Sequence, residues 1–534
     1  MVVTDRRDSP STTPLAGGYA ETDPAPLPPG TDRVVALVEE LVRRFPDESA
    51  SVRDIAADIR STKSTVARVL GDLTDVGLAE RDNLGHYRVG PRLRWLATQI
   101  HHRHSVFRVG GVVAQRMADL AGATATVNVM GPDAAFGFVA VRRSSIGPIG
   151  YNLSPGTLLP LHAGATGRAL MSRYDSSISE TIELYRFTAD TITDRDELAK
   201  RMVEDRTAGH VLSVGHHFPQ AAGISVPFVV DGLTGALTVT SPRARTTEQK
   251  LLALLPDLQD SVRELAETTD AHASREARTQ DASIADASDG GTAVARLERF
   301  LSALVSHSGG LPTTGRALGR AIRANPATAS KLAVHALHSG LAVARLDTLR
   351  VGPTLMRWAA LLGTSSIADL VVPVVRALSH DTGETVGLIE YDHETSRAQQ
   401  TLVVPGSHQM HYWMTTEGDI PLHAGASGKA ILAHLGPDAL RVVDLVAHTD
   451  RTNTDRTSLG DDLDRIRRRG WATGDGERIA EAFGIAAPIF TDRTVRGSVT
   501  VTVPRLRIDD VDTEAVTTAV VRAAGDITRR LSLD

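Results

Sequence analysis

From Val34 to Ile100 the apolar residues recur at helical spacing in three sets: Val34, Leu37, Val38 and Leu41; Val52, Ile55, Ala56 and Ile59; Val66, Val69, Leu70 and Leu73. This periodicity predicts three short helices. Ser51 stands before the second and Ser61 or Thr62 before the third, where a side-chain oxygen can accept from free backbone N–H groups, and Gly77 ends the third. Leu78 to Val89 carries a turn at Asn83-Leu84-Gly85 between two short extended arms and predicts a small β-wing. A longer helix is expected around Pro91 to His104, followed by a region where strands and helices mix. Within it, Ile224 to Val239 reads as a β-hairpin turning at Asp231-Gly232, and Ile485 to Val503 is its counterpart.

That counterpart is one of several. LPLHAGATGRAL at Leu159 recurs as IPLHAGASGKAI at Ile420, and AGISVPF at Ala222 recurs as FGIAAPIF. Gly167 and Gly428 lie 261 residues apart, as do Gly223 and Gly484. Upstream, GLAERDNLGHYRVG from Gly77 matches GLAVARLDTLRVG from Gly340 with one residue fewer. A period this long exceeds that of any solenoid and indicates a duplicated multidomain unit. Residues 1–30 are rich in Pro, Gly, Ser, Thr and Asp and are expected to be a disordered tail. A small, polar and charged stretch at 266–290 is expected to link the units. The expected divisions are 31–90 and 91–265 in unit one, and 291–352 and 353–534 in unit two.

Composition narrows the chemistry. The 534 residues are 42% hydrophobic and 23% charged, as in water-soluble globular proteins. Zero cysteines exclude disulfides, thiolate metal sites, iron–sulfur clusters and a cysteine nucleophile. No run of 18 apolar residues occurs and the N-terminus lacks the apolar core of a secretory signal, so a cytoplasmic protein without a membrane contact is expected. A net charge of -6 argues against coating nucleic acid along the whole chain and leaves room for a local patch.

The three helices and wing are compact enough to place the third helix in a DNA major groove, about 12 Å wide. Thr62, Lys63, Ser64, Thr65 and Arg68 avoid that helix's apolar stripe and are groove-reading or phosphate-binding residue types. The stretch SVRDIAADIRSTKSTVARVLGDLTDVGLAERDNLGHYRVG resembles the winged helix-turn-helix of the IclR family of bacterial transcriptional regulators. PLHAGATGRAL, TITDRDEL, GISVPF and LTVTSP resemble that family's effector-binding motifs in order, and PLHAGASGKAI, RIRRRGWATGD, GIAAPIF and VTVTVP repeat them. The resemblance covers nearly all of both units. It implies an α+β fold with two copies of a winged helix-turn-helix domain, each followed by a GAF-like effector-binding domain with an antiparallel sheet. It also implies double-stranded operator DNA and a small organic acid or aromatic effector as partners, and a homo-oligomer.

The second reader helix differs. Aligning Gly340 with Gly77 puts Asn325, Pro326, Ala327, Thr328 and Lys331 where Thr62, Lys63, Ser64, Thr65 and Arg68 stand. Residues 31–100 hold 11 Lys or Arg and 11 Asp or Glu, whereas 291–360 hold 9 and 2, a net charge of +7. Asn325, Thr328 and Lys331 are therefore taken as DNA-facing, with unit one reading bases and unit two mainly gripping phosphates. A basic face packed on another subunit is the alternative.

For the effector pockets the resemblance implies, by position, Ala165, Thr166, Ser213, Thr238 and Thr240 in unit one, and Ala426, Ser427, Asp475, Thr500 and Thr502 in unit two. Unit one has SVGHH where the family carries acidic residues, while unit two keeps Asp475 and Glu477. Neither His101-His102-His104 nor His216-His217 has a matching carboxylate or third ligand at a recognisable spacing, so no metal or other cofactor is expected. His162 and His423 recur without a companion nucleophile and are read as structural. No nucleophile elbow, P-loop or dinucleotide fingerprint occurs, so no enzyme activity is expected. The rival reading is a ligand-binding or scaffolding protein that has lost DNA binding.

Overall fold

The computed structural model describes residues 31–46, 48–145, 153–276, 291–307, 309–393, 395–408, 412, 419–436 and 438–532. The expected N-terminal tail, 1–30, lies outside them. Unit one opens with helices Thr31–Arg43, Val52–Asp58 and Lys63–Asp75 and the antiparallel pair Ala79–Arg81 and Tyr87–Val89. Local chemistry sets the boundaries. Ser51 and Asp54 form a reciprocal capping box, and the Thr62 hydroxyl accepts from Thr65 N, so Thr62 rather than Ser61 starts the third helix. Gly77 takes a φ of 74°, the left-handed conformation that lets the chain leave the helix. Val66, Val69, Leu70 and Leu73 face the core, and Leu78 closes it.

Helix Pro91–Arg103 leads from this head into a six-stranded sheet. Its strand order is Leu158–Leu159, Gly137–Ser144, Thr124–Met130, Leu233–Pro242, Ala221–Val230, Val211–Val214, with every neighbouring pair antiparallel. Helices Ser105–Ala121 and Leu255–Glu276 pack on the sheet, and Gly164–Met171 packs against it from the segment LHAGATGRAL. Thr124–Met130 is buried at every position, as a central strand covered on both faces must be. Helix Leu255–Glu276 runs past Ala266, where the linker was expected to begin. Buried Leu258 and Leu265 carry it over the sheet, and AETTDAHASRE continues with helix-compatible residues. Residues 277–290 of the expected linker lie outside the described ones.

Unit two repeats this order. Its head comprises Ala293–Ser306, Gly315–Ala321 and Pro326–His338, with strands Ala342–Arg345 and Thr348–Val351 joined by a short third strand, Leu311–Pro312. Its five-stranded sheet runs Arg397–Val404, Thr385–Asp392, Thr494–Pro504, Ala482–Thr491, Ala472–Asp475. Helices Ile367–Thr382 and Thr513–Leu531 cover it. Both units are mixed α and β with antiparallel sheets.

The units are docked to each other. Helix Pro91–Arg103 packs against Pro353–Leu362 and Ala293–Ser306, and Thr31–Arg43 packs against Ala293–Ser306 and Pro353–Leu362. Leu93, Trp95, Leu96, Trp358, Ala359 and Leu362 are buried within one hydrophobic core that spans both units. Burying each large side chain fully contributes about 1.5–3 kcal/mol. Charged groups cross the same seam reciprocally. Arg92 Nε donates to Glu298 Oε1 at 2.7 Å and its Nη2 to Ser302 Oγ at 2.9 Å, while Arg357 and Trp358 of unit two both donate to the Glu39 carboxylate of unit one. At the far ends, the hairpin turn of each sheet reaches the other unit: Asp231 pairs with Arg345 at 3.2 Å, and Asp492 with Arg103 at 3.1 Å. Among the described residues no single helix is long and apolar enough to cross a membrane. The pair Pro353–Leu362 and Ile367–Thr382 has that composition together but bends by 67° between its halves.

Candidate functional site

Two kinds of site emerge, an exposed helix flank on each head and a cavity on each sheet. Helices Lys63–Asp75 and Pro326–His338 are both 13 residues long and are capped at equivalent positions: Thr62 Oγ1 accepts from Thr65 N at 3.4 Å, and Asn325 Oδ1 from Thr328 N at 2.9 Å. Thr62, Lys63, Ser64 and Arg68 are exposed and Thr65 is half-buried under the cap. Arg68 is 69% exposed and lies 3.6 Å from Asp72 on the same helix, a weak tether in water. In unit two Asn325 and Lys331 are exposed, Thr328 is half-buried, and Arg316, Arg320 and Arg323 stand exposed on the preceding helix and turn. None of these four cations is in an ion pair among the described residues. Pro326 occupies the first helical position, where no backbone donor is lost.

Each cavity lies over the hairpin strands where the LHAG turn enters its helix. In unit one it is open to solvent and spans about 520 Å3 of non-protein space, that solvent included, and Ala165, Thr166, Ser213, Thr238 and Thr240 all line it. Thr238 and Thr240 share a strand face, as period-two alternation requires. The Thr238 hydroxyl is already engaged: Thr166 Oγ1 is 3.0 Å away, Ser225 Oγ 2.8 Å, and Asn128 Nδ2 donates to it at 3.3 Å. This buried network sets the cavity floor. Arg168 beneath the turn is closed onto Asp205 with both side chains buried, Nε to Oδ2 being 2.9 Å.

In unit two the cavity is likewise open and spans about 500 Å3, solvent included, and Ala426, Ser427, Thr500 and Thr502 line it. Asp475 does not. Its carboxylate is held by Arg451 at 2.6 Å and Arg505 at 2.7 Å, away from the cavity. Strand pairing shows why the expectation slipped. Ser213 pairs with Gly223 and Gly474 pairs with Gly484, so Gly474, not Asp475, stands where Ser213 stands. Slipping one residue along a strand turns the side chain to the other face. Glu477 does line the cavity, but both its oxygens are occupied, by Lys429 Nζ at 2.6 Å and Gly425 N at 2.9 Å.

His162 and His423 play matching roles at the two turns, with Nε2 2.8 Å from the carbonyl oxygens of Tyr185 and Val446. Burial lowers the His162 pKa to about 4, keeping its imidazole neutral near pH 7. Sequence reasoning missed His216, His217 and Phe218 as lining residues of the first cavity, and Gln400, Tyr412 and Arg478 as lining residues of the second. The 261-residue offset between Gly167 and Gly428 places Arg478 opposite His217 and was the available signal. Gln400 and Tyr412 come from segments where the two units share no motif. Among the described residues no group of three or more His, Asp or Glu side chains is arranged to hold a metal ion.

With this geometry in view, the duplicated unit matches known proteins. The family model described as bacterial transcriptional regulator IclR C-terminal matches residues 98–267 and again 359–529, well over half of the chain. The HTH-type transcriptional regulator BhcR of Paracoccus denitrificans is 32% identical over 244 residues, 42% of this chain and 82% of that protein. The transcriptional repressor IclR of Escherichia coli is 28% identical over 172 residues, 31% of this chain and 63% of that protein. Among solved structures, an IclR-type regulator from a Silicibacter species is 27% identical with a TM-score of 0.36, over 44% of this chain and 95% of that one. An IclR homologue from Microbacterium hydrocarbonoxydans, solved with 4-hydroxybenzoate, is 22% identical with a TM-score of 0.29, over 45% of this chain and 98% of that one. The fold and the matched spans define a bacterial transcriptional regulator. The chain belongs to the IclR family and carries that family's C-terminal domain twice in tandem.

Proposed function

We propose that the chain is a ligand-responsive regulator that binds operator DNA through two winged helix-turn-helix heads, 31–90 and 291–352, under the control of effector-binding domains at 91–265 and 353–534. The observation that carries this reading is the pair of equal-length, equally capped helices whose polar and cationic flanks are exposed while their apolar faces close the heads. Thr62, Lys63, Ser64, Thr65 and Arg68 read bases and phosphates. Asn325, Thr328 and Lys331, with Arg316, Arg320 and Arg323, mainly hold phosphates. The docked heads make one chain a covalent pseudo-dimer, and its unequal helices call for an asymmetric operator. A small organic acid or aromatic effector acts by preferring one arrangement of the heads, so its differential affinity sets the shift in DNA affinity. Pairing of two such chains would be read from the mass of the DNA-bound species.

A nuclease footprint on the DNA upstream of the protein's own gene, beside Arg68→Glu, tests the reading. Loss of a bidentate or phosphate contact should weaken binding on the order of 10- to 100-fold. Reversing charge at Arg316, Arg320, Arg323 and Lys331 should flatten the dependence of affinity on salt. Unchanged protection in Arg68→Glu and an unchanged salt slope would refute the assignment. Absence of specific protection, there and in a genome-wide selection, would favour a ligand-binding scaffold.

A further inference from the structure

The two cavities are built on the same frame and differ at one decisive position. A Cβ placed on Gly164 would sit 3.5 Å from the Cβ of His217, and a Cβ placed on Gly425 would sit 3.5 Å from the Cβ of Arg478. His217 and Arg478 are therefore structural equivalents, each beside the LHAG turn of its own unit and each lining that unit's cavity. We propose that the chain reads two chemically different effectors: a small carboxylate in the second cavity, its anion met by Arg478, and an uncharged, mostly apolar small molecule in the first, beside His217. This rests on reading the cavities as effector pockets.

Among the described residues, the charges in the second cavity leave Arg478 as the group available to an anion. Glu477 is neutralised by Lys429, and Asp462, which also contacts Lys429 at 2.9 Å, is met by Arg465 at 3.3 Å. Arg478 is half-buried and has no carboxylate partner among the described residues. Burial pulls its pKa below the ordinary value, with the nearby Tyr412 hydroxyl opposing that shift. A guanidinium keeps its charge in a protein, and a half-desolvated one without a counterion gains from an incoming carboxylate. Ser427 and Thr500 line the same cavity and offer hydroxyls to the remaining polar atoms of such a ligand.

Among the described residues the first cavity offers no such cation. Arg168 is consumed by Asp205, and the lining residues carry no guanidinium, ammonium or carboxylate. His217 is wedged into an aromatic cluster, its ring centroid 4.8 Å from Phe187 and 4.2 Å from Phe218. Burial holds its pKa down at about 4, with His162 adding to the effect, so at neutral pH it presents an uncharged ring. Leu153, Leu159 and Pro160 add apolar surface to the same lining. Burying a carboxylate there would strip its water with no cation to replace it, whereas a neutral ring with one hydrogen-bonding group loses little.

Isothermal titration of the full-length chain without DNA tests this, using benzoate, phenylacetate and pyruvate, each beside its amide. Carboxylates should bind at about one site per chain, and Arg478→Gln should weaken them on the order of 10- to 100-fold while leaving amide binding unchanged. Ala165→Leu, which fills the first cavity, should abolish amide binding only. His217→Arg should add a second carboxylate site, raising the stoichiometry to about two. Carboxylate affinity indifferent to Arg478→Gln, two carboxylate sites in the unaltered chain, or no binding by any of the three acids would each overturn the proposal. The footprint needs no ligand, so failure of the DNA-binding reading would register there and not in these titrations.

Discussion

Replacing Arg92 with methionine probes the docking of the two heads. The Arg92 and Glu298 side chains are 11% and 14% exposed, and the guanidinium also donates to Ser302 Oγ and the Ser532 carbonyl. Methionine keeps much of the aliphatic volume and strands the Glu298 carboxylate with the Ser302 hydroxyl, 2.7 Å away, as its remaining donor. Removing one partner of a fully buried pair costs about 3–5 kcal/mol. Slight exposure lets water reach the stranded carboxylate, so about 2–4 kcal/mol is expected here. Glu298→Met should cost a similar amount, whereas the double variant, with both charges gone and the seam apolar, should cost less than either single one. The coupling energy should then be at least about 2 kcal/mol. Trp95 and Trp358 are buried in the seam and report on it, so a urea titration followed by tryptophan fluorescence reads the head transition. Single variants within about 0.5 kcal/mol of the parent, or a double variant costing the sum of the singles, would refute the reasoning.

Two further outcomes follow from individual residues. A Cβ at Gly167 would lie 2.1 Å from the Pro160 carbonyl oxygen, and one at Gly428 2.0 Å from that of Pro421. Gly167→Ala and Gly428→Ala should each destabilise by at least about 2 kcal/mol and impair ligand binding in their own unit, and a parental melting temperature in either variant would contradict the packing described. For pH, burial depresses the folded-state pKa of His162 and His217 to about 4 from 6.5. The unfolded chain therefore takes up protons first, so stability contributed at neutral pH falls as pH drops from about 6.5 and levels off near 4. His162→Gln should flatten that part of a melting-temperature profile against pH, and an identical slope in the variant would show that other groups govern it.

Much of the architecture was legible because it is local. The three apolar sets, the caps at Ser51 and Thr62 and the departure at Gly77 depend on residues within a few positions of one another, and each appears where its spacing predicts. The duplication was equally plain, since repeated motifs at a constant offset need no structure to be seen. Two cavity residues, Thr238 and Thr240, were implied by the family resemblance, and strand alternation put both on one face.

What the chain by itself did not determine arises where residues distant in sequence meet. The one-residue error at Asp475 came from aligning letters; hydrogen-bonded pairing of Gly474 with Gly484 decides which side chain faces the cavity. The helix that runs on to Glu276 is held by burial of Leu258 and Leu265 over the sheet, a contact with segments distant in the chain. Arg92 meets Glu298 across 206 residues, and whether either charge is solvated or buried depends on how the two heads dock. Sequence thus determined the elements and their repetition, because helix and strand periods are properties of neighbours. The tertiary structure decided which polar groups are consumed and which remain available, because desolvation and pairing are set by what packs alongside.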